Sequence, residues 1–322
     1  MSSGSFEERR RESWQELDQL ITSVERGKPA PGVEQLPRKF REACSDLGLA
    51  THRMYGRGVV ERLNALVIRG YKLLYRSRKR GAESFVRFTT VTFPSTVRRE
   101  WRLFWLCSLL FWGPFFAMLA MPWINMEWIQ AVLKPEGMAA MESMYGSQED
   151  QIQFLRDEYG SNFMIFGHYI QNNISIDFRM FAGGIVACLG TLFFMVYNGI
   201  YIGAAAGYAS YACNPESFWT FVSGHSSFEL LGMVVAGMAG MRLGIGVLRP
   251  GRMTRAKSVR DAAKRSLPLI LGAAGMTFLA AVVEGFWSAQ PLAASTKYGV
   301  GATFWVMHAL YFLLMGRGVR EA

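Results

Sequence analysis

Hydrophobic and polar positions divide this sequence into two parts. Up to Glu100, apolar residues recur every three or four positions among charged ones, and no long uncharged stretch occurs. After Trp101 come several apolar runs that approach the roughly 20 residues needed to span a bilayer. The pattern predicts an all-α fold, with a helical domain at residues 1–100 and a polytopic membrane domain at residues 101–322.

Three amphipathic helices account for the first part. The first begins near Ser5, whose spacing to Glu8 is that of a capping box, and ends at Gly27. The second starts or breaks at Pro37, and the third ends in a basic cluster before Gly81. We expect the apolar faces of these helices to pack on one another.

The membrane domain is predicted to cross the bilayer five or six times. The predicted spans are Trp101–Trp123, about Phe178 to Asn198, Ser226–Leu248, Leu267–Trp287 and Tyr298–Gly316. The apolar run 200–212 has 13 residues, which is too short to cross alone at about 1.5 Å per residue. Parity of the spans therefore predicts a broken or re-entrant helix pair between Asn198 and Gly224.

Charge gives the predicted orientation. The chain has a formal net charge of +10 although 51% of its residues are hydrophobic, so charged and apolar residues must be segregated. Residues 125–176 carry seven acidic and two basic side chains, whereas residues 249–265 carry seven basic and one acidic. Basic loops stay inside, so the amino-terminal domain, the 249–265 loop and both termini are predicted to be cytoplasmic, with the acidic 125–176 loop outside.

The basic domain suggests a lipid contact rather than a nucleic acid. Between Arg69 and Glu100 nine basic residues stand against two acidic ones, immediately before the first span. Anionic lipid headgroups would lie at that position. The aromatic residues of the amino-terminal domain have helical spacing and are typical of a core, so no nucleic-acid partner is expected.

Polar residues inside or beside the spans form the candidate site. Ionisable groups in a membrane are costly and are usually paired and functional. The candidates are Asn172, Asn173, Asp177, Asn198, His225, Glu229 and Glu284. On the predicted topology all but Asn198 lie at one extracytoplasmic level, and no catalytic residue is assigned.

The spacing of His225 and Glu229 has three interpretations, which are structural pairing, binding of an ion or substrate without bond-making, and catalysis. Four residues apart, both lie on one helical face and could bind a metal ion, with Asp177 or Glu284 as further ligands. A metalloprotease motif needs a second histidine at the position of Glu229, and no cofactor is expected. Alternatively, Ser226 caps the helix, Glu229 closes a capping box, and His225 bonds to a neighbouring helix.

Small residues form two stripes in the membrane domain. Gly232, Ala236, Gly240 and Gly244 recur every four positions, so another backbone can approach their helix closely. Gly203 and Gly207 form a second stripe. We expect the two stripes to pack on each other within one chain, with a homo-oligomer interface as the alternative.

Together these motifs resemble the stage II sporulation protein M family of bacterial integral membrane proteins. The family pattern has paired asparagines before a span, Asn-Gly after it, and a histidine–glutamate pair that opens a glycine-rich span. It maps onto Asn172, Asn173, Asn198, Gly199, Gly203, His225, Glu229, Gly240 and Gly244, with Ser226 where the family has glycine. The amino-terminal region resembles that of members from bacteria that do not sporulate.

The resemblance implies a location in the bacterial cytoplasmic membrane and protein partners, but no reaction. Sporulating members act in an engulfment complex, and the relatives are typically encoded beside a MoxR-type AAA ATPase. We therefore expect a membrane scaffold or regulatory component of a cell-envelope complex, without catalysis of its own. A transporter or channel-like protein is the alternative, and an intramembrane metalloenzyme that uses His225 and Glu229 is a further one.

Overall fold

The protein is helical throughout the part of the chain that the structure describes. A computed structural model describes residues 3–27, 31–74 and 81–317 as helices, turns and loops, with no strand among them. The chain forms two compact units, Met1–Gly81 and Ala82–Ala322. The division lies earlier than the predicted boundary at residue 100, because residues 93–99 form a helix that packs on helices of the second unit.

The first unit, called here the head, contains three α-helices around a small core in the part that the structure describes. They are α1 (Ser3–Glu25), α2 (Leu36–His52, preceded by a 3₁₀ turn at Val33–Gln35) and α3 (Arg57–Leu74). Pro37 lies in the first turn of α2, where its missing N–H costs nothing. The core is formed by Phe6, Trp14, Leu17, Ile21, Leu36, Ala43, Ala50, Leu63 and Leu66. Helix α1 starts before Ser5, so the predicted capping box at that residue is wrong.

The second unit, called here the membrane unit, holds the remaining helices. They are α4 (Gly81–Arg87), α5 (Phe93–Arg99), α6 (Trp101–Ala120), α7 (Glu127–Val132), α8 (Pro135–Met144), α9 (Gln148–Tyr159), α10 (Asn162–Gly183), α11 (Leu189–Ala212), α12 (Pro215–Ser223), α13 (Ser226–Leu248), α14 (Arg255–Val283) and α15 (Ala294–Leu314). A 3₁₀ turn follows α6 at Met121–Trp123, and π-helical segments lie at Phe88–Thr92 and Glu284–Ser288.

Among the described residues, four segments are long and apolar enough to cross a membrane by length and composition. They are Trp101–Trp123, Leu189–Ala212, Ser226–Leu248 and Arg255–Ser288. Helices α10 and α15 have 22 and 21 residues and pack against α13, so they belong to the same bundle. The protein is a polytopic helical membrane protein.

The six long helices alternate in direction. Gly199 and Gly203 of α11 lie against Phe111 and Phe115 of α6, so these two helices are parallel. Gly232 of α13 lies near Thr277 of α14, whereas Gly246 lies near Ala262, so α13 and α14 are antiparallel. One end of the bundle, which we name the acidic end, carries α7 to α9, and the opposite end, the basic end, carries residues 249–254.

The predicted second span, from Phe178 to Asn198, is wrong. The chain leaves α10 at Gly183, turns through residues 184–188 and returns as α11, so this run is a helical hairpin. Ala187 and Cys188 have positive φ angles of 48° and 69°, which non-glycine residues adopt rarely. The Thr191 hydroxyl donates to the Met180 carbonyl at 2.7 Å and ties the two arms together.

The predicted broken helix pair between Asn198 and Gly224 is therefore also wrong. Helix α11 runs without interruption to Ala212, and the extra turn before it supplies the change of direction that parity requires. Asn214 then caps α12 through bonds from the N–H groups of Glu216 and Ser217, with Pro215 as the first helical residue.

Two predicted loops are largely helical. Residues 125–176 contain α7, α8, α9 and the first half of α10. Helices α9 and α10 are separated at Gly160, whose φ of 74° ends α9, and Ser161 caps α10. The basic 249–265 stretch is a loop only to Thr254, whose hydroxyl accepts a bond from the Lys257 N–H and starts α14.

Candidate functional site

A cluster of polar side chains lies inside the acidic end of the membrane unit. We name it the polar cluster, and it consists of Asn172, Asn173, His225, Glu229, Glu284 and Ser288. Helix α10 supplies the asparagines, the start of α13 supplies the histidine and one glutamate, and the π-helical end of α14 supplies the other glutamate and the serine. A π segment often marks a functional position because its extra residue re-aims side chains.

The imidazole of His225 faces two carboxylates. Its Nε2 lies 3.5 Å from Glu284 Oε1 and 3.9 Å from Glu229 Oε2. The side chains of His225 and Glu284 are 5% and 4% exposed, whereas that of Glu229 is 17% exposed. One nitrogen and two carboxylate oxygens therefore converge in a buried place that opens on the Glu229 side.

Further hydrogen bonds fix the orientation of these groups. His225 Nδ1 and Ser288 Oγ are 3.0 Å apart. Asn173 Nδ2 donates to Glu284 Oε2 at 3.3 Å, and its own Oδ1 accepts from Asn172 Nδ2 at 2.9 Å. The first contact joins the start of α13 to the π-helical end of α14, and the second joins α10 to that same end. The third orients Asn173.

Aromatic rings cover the cluster. The ring of Phe221 meets the His225 ring edge-on with centroids 5.5 Å apart, and Tyr145 packs on Phe221. Tyr145 follows α8 and is buried. Burial raises its pKa well above the usual value, and the charges of Glu284 and Glu229 raise it further. The phenol therefore stays protonated beside the carboxylates.

Two of the predicted site residues lie outside the polar cluster. Asp177 is fully buried one turn deeper in α10 and accepts a bond of 2.6 Å from the Thr277 hydroxyl, whereas its Oδ1 has no hydrogen-bond partner. Asn198 donates to the Phe194 carbonyl within α11. The other five candidates meet one another.

The predicted cap of α13 differs from the structure. His225 occupies the position before the first helical residue, and its side chain makes no capping bond. The Ser226 hydroxyl donates to the Ser223 carbonyl instead, so no capping box with Glu229 forms. The predicted bond of His225 to a neighbouring helix is present, with Ser288 as the partner.

The two stripes of small residues do not face each other as expected. Gly203 and Gly207 lie against the α6 backbone at Phe115 and Leu119. On α13, Gly232 faces Thr277 of α14, Gly240 lies against the Met180 carbonyl and Thr191, and Gly244 lies against Cys188. Ala236 is fully buried between them. The stripes thus serve different neighbours, and both allow backbones to approach closely within one chain.

One member of the polar cluster, Ser288, and one neighbour of it, Lys297, were not predicted from the sequence. Ser288 carries no charge, and nothing in its sequence context indicates that it lies beside His225. Lys297 is fully buried, and its Nζ donates to the Ser288 carbonyl at 2.8 Å. The span predicted at Tyr298–Gly316 begins one residue after this lysine and so excludes it. An ionisable residue at the end of a span was nevertheless a sign that Lys297 could belong to the site.

A family model decides where this chain belongs. The model for "Stage II sporulation protein M" matches residues 103–289, which include every residue of the polar cluster. The chain is a member of the stage II sporulation protein M family. A second model, "Domain of unknown function (DUF8413)", matches residues 4–76, which correspond to the head. No curated protein and no solved structure matches the chain.

In this stage II sporulation protein M family member, the arrangement permits a limited chemistry. Carboxylates at this distance from an imidazole can share a proton with it or bind a cation through oxygen and nitrogen. The same groups link α10, α13 and α14, so either role also stabilises the acidic end of the bundle.

Proposed function

We propose that the protein is a membrane scaffold or regulatory component of a cell-envelope complex, without catalysis of its own. The observation that carries this proposal is the use of the polar cluster: its hydrogen bonds run between α10, α13 and the end of α14. Buried polar groups that bond to one another fix an arrangement of helices, as in other helical membrane proteins.

Close backbone packing supports the same role. A side chain on Gly184 would clash with the Gly240 backbone, and a side chain on Gly183 or Gly190 would clash with the backbone of the other. Such contacts resist the relative motion of helices that transport requires. The transporter alternative rested on an interrupted helix around Asn198 and on the outward-facing layer of carboxylates. Helix α11 is continuous at Asn198, so the first of these two grounds no longer supports it.

In the proposed orientation, the head is cytoplasmic and the acidic end faces outward. The head would then offer charged helical faces to a protein partner, and a MoxR-type AAA ATPase system is the partner that the family resemblance suggests. The basic residues around Arg87, Arg98 and Arg99 lie where anionic lipid headgroups would bind. No nucleic acid is needed to explain this charge.

Cells that lack the chromosomal gene provide the test. Complementation is compared for the full chain, a chain with the exposed head arginines reversed (Arg11→Glu, Arg26→Glu, Arg41→Glu), and Glu229→Gln. We expect the head variant to insert normally but to lose complementation together with its cross-links to the partner. Full activity of a chain without residues 1–81 would overturn the proposal, as would substrate flux in proteoliposomes that Glu229→Gln abolishes.

A further inference from the structure

We propose that His225, Glu229 and Glu284 bind one divalent transition-metal cation, which joins the start of α13 to the end of α14. This inference goes beyond the scaffold role, since it adds a ligand and its chemical class. It stands on three observations about the polar cluster: the spacing of the ligand atoms, the bonds that orient them, and the balance of charge.

The spacing suits a single small cation. One ligand atom from each of the three residues lies within 4.8 Å of the others, and Nε2 of His225 is 3.5 and 3.9 Å from the two carboxylate oxygens. A tetrahedral site with bonds of about 2.0–2.2 Å separates its ligand atoms by roughly 3.3–3.6 Å. Small side-chain rotations of the glutamates would complete such a site.

The surrounding bonds are those that orient metal ligands. A metal-binding histidine almost always donates its other ring N–H to an oxygen, and its neighbouring carboxylates are hydrogen-bonded in turn. Here Ser288 Oγ lies 3.0 Å from His225 Nδ1, which leaves Nε2 directed at the carboxylates. Asn173 donates to the oxygen of Glu284 that does not face the histidine. Ser288 and Asn173 thus orient two of the three proposed ligands, His225 and Glu284.

The charge balance calls for a cation. Among the residues that the structure describes, no lysine or arginine forms an ion pair with Glu229 or Glu284. The nearby Lys297 directs its Nζ to the Ser288 carbonyl instead. By contrast, Arg242 at the basic end of α13 pairs with Glu100 at 3.2 Å. Two buried carboxylates without a cation are costly, and a divalent ion would compensate both.

The donor set indicates the kind of metal. Imidazole suits zinc, iron, nickel and copper, whereas magnesium and calcium prefer sites made only of oxygen. One imidazole with two carboxylates therefore favours zinc or a neighbouring first-row ion. The partial exposure of Glu229 leaves a fourth coordination position that water can fill.

The test measures metal binding by the full chain, purified in detergent without a histidine tag. The protein is stripped with EDTA, titrated with Zn²⁺, Mn²⁺ or Mg²⁺, desalted and analysed for metal content. We expect about one Zn²⁺ per chain, together with a rise in Tm, and no binding of Mg²⁺ at the same concentration. Glu284→Gln keeps an oxygen for Asn173 and should abolish both effects, whereas exposed Glu216→Gln should change neither.

The variant Ser288→Ala is a second test with a smaller expected effect on metal binding. It removes no ligand, and we expect it to weaken Zn²⁺ binding about 10- to 100-fold while the chain remains folded. Folded wild-type protein that holds no stoichiometric metal would overturn the proposal. So would a Glu229→Gln, Glu284→Gln double variant that binds Zn²⁺ as tightly as the wild type, because the ion would then lie elsewhere.

Discussion

The head and the acidic end of the membrane unit both depend on charged residues, but they place them differently. In the head, Arg69 Nη1 lies 2.5 Å from Asp18 Oδ1, and Arg69 Nη2 lies 2.7 Å from Glu25 Oε2. All three side chains are more than a third exposed. In the polar cluster, two carboxylates and one histidine are largely buried. Exposed pairs are screened by solvent and contribute little, whereas a buried group without its partner is costly.

Asp46 in the head is intermediate between these cases. It is 4% exposed and accepts a 2.9 Å bond from Trp14 Nε1, while Arg10 reaches it from the surface. The cost of burying the Asp46 carboxylate is therefore offset by both the neutral indole N–H of Trp14 and the charged guanidinium of Arg10. We therefore expect the loss of unfolding free energy to be smallest at Arg69, larger at Asp46 and largest in the polar cluster. The loss increases with the burial of the group and when no water or other side chain can replace its partner.

The largest effect is expected for His225→Ala. The change leaves a cavity where the buried ring packs against Phe221 and removes the contact with Ser288, and we expect a loss of about 3–5 kcal/mol in unfolding free energy. Reversible SDS unfolding in mixed micelles measures it. The matched control is His168→Ala, since His168 is exposed. Equal stability of the two variants would show that the histidine holds nothing in place.

The next largest effect is expected where α13 packs closely on α10 and α11, below the polar cluster. Gly240→Leu places a side chain against the Met180 carbonyl and Thr191, and we expect a cost of about 1–3 kcal/mol or more. Gly275→Leu is the control, because an added Cβ at that α14 position meets nothing within 4 Å. The same unfolding assay compares them, and equal stability would remove the close helix contact from the account.

A similar or smaller cost is expected for Asp46→Ala in the head. The variant leaves the buried Trp14 indole N–H without its acceptor, which costs about 1–3 kcal/mol. Hydrogen exchange of α1 and α2 peptides in the full chain should show faster exchange there, with no change in α13. Unchanged exchange in α1 would mean that water replaces the carboxylate readily.

The smallest effect is expected at Arg69. Its hydrogen bond to Glu25 lowers the pKa of that carboxyl. The charged form is thus favoured in the folded head, and its contribution is complete above the unfolded pKa of about 4.3 and disappears as the pH falls through the lower folded value. Arg69→Met should cost about 0.2–1 kcal/mol at neutral pH, and less in high salt.

Hydrogen exchange of α3 at several pH values checks this last prediction. Wild-type protection factors, which are corrected for the intrinsic pH dependence of amide exchange, should fall below about pH 4 and approach those of Arg69→Met. A difference between the two proteins that grows as the pH falls would contradict the assigned direction of the pKa shift.

The sequence predicts the head well because amphipathic periodicity and Pro37 act locally. It misplaces the second span because the turn at residues 184–188 is built from apolar residues, so hydropathy shows one run where the chain makes a hairpin. Strained backbone at Ala187 and Cys188 replaces the usual polar turn signals.

The polar cluster was predictable only in part. Charge inside apolar runs identifies His225, Glu229 and Glu284, and parity assigns them to one level. Ser288 and Lys297 enter through contacts between distant segments, which no local pattern reports. Whether Asp177 joins the cluster depends on one helical turn, and helix ends cannot be placed that accurately from a sequence.

In the proposed scaffold, the polar cluster joins α10 to the end of α14. A double-mutant cycle on Asn173→Ala and Glu284→Ala, followed by reversible unfolding in mixed micelles, tests it most directly. We expect a coupling energy of about 0.5–3 kcal/mol, whereas Asn173→Ala combined with the distant Glu216→Ala should be additive within about 0.5 kcal/mol. Additivity of the Asn173 and Glu284 variants would contradict the account.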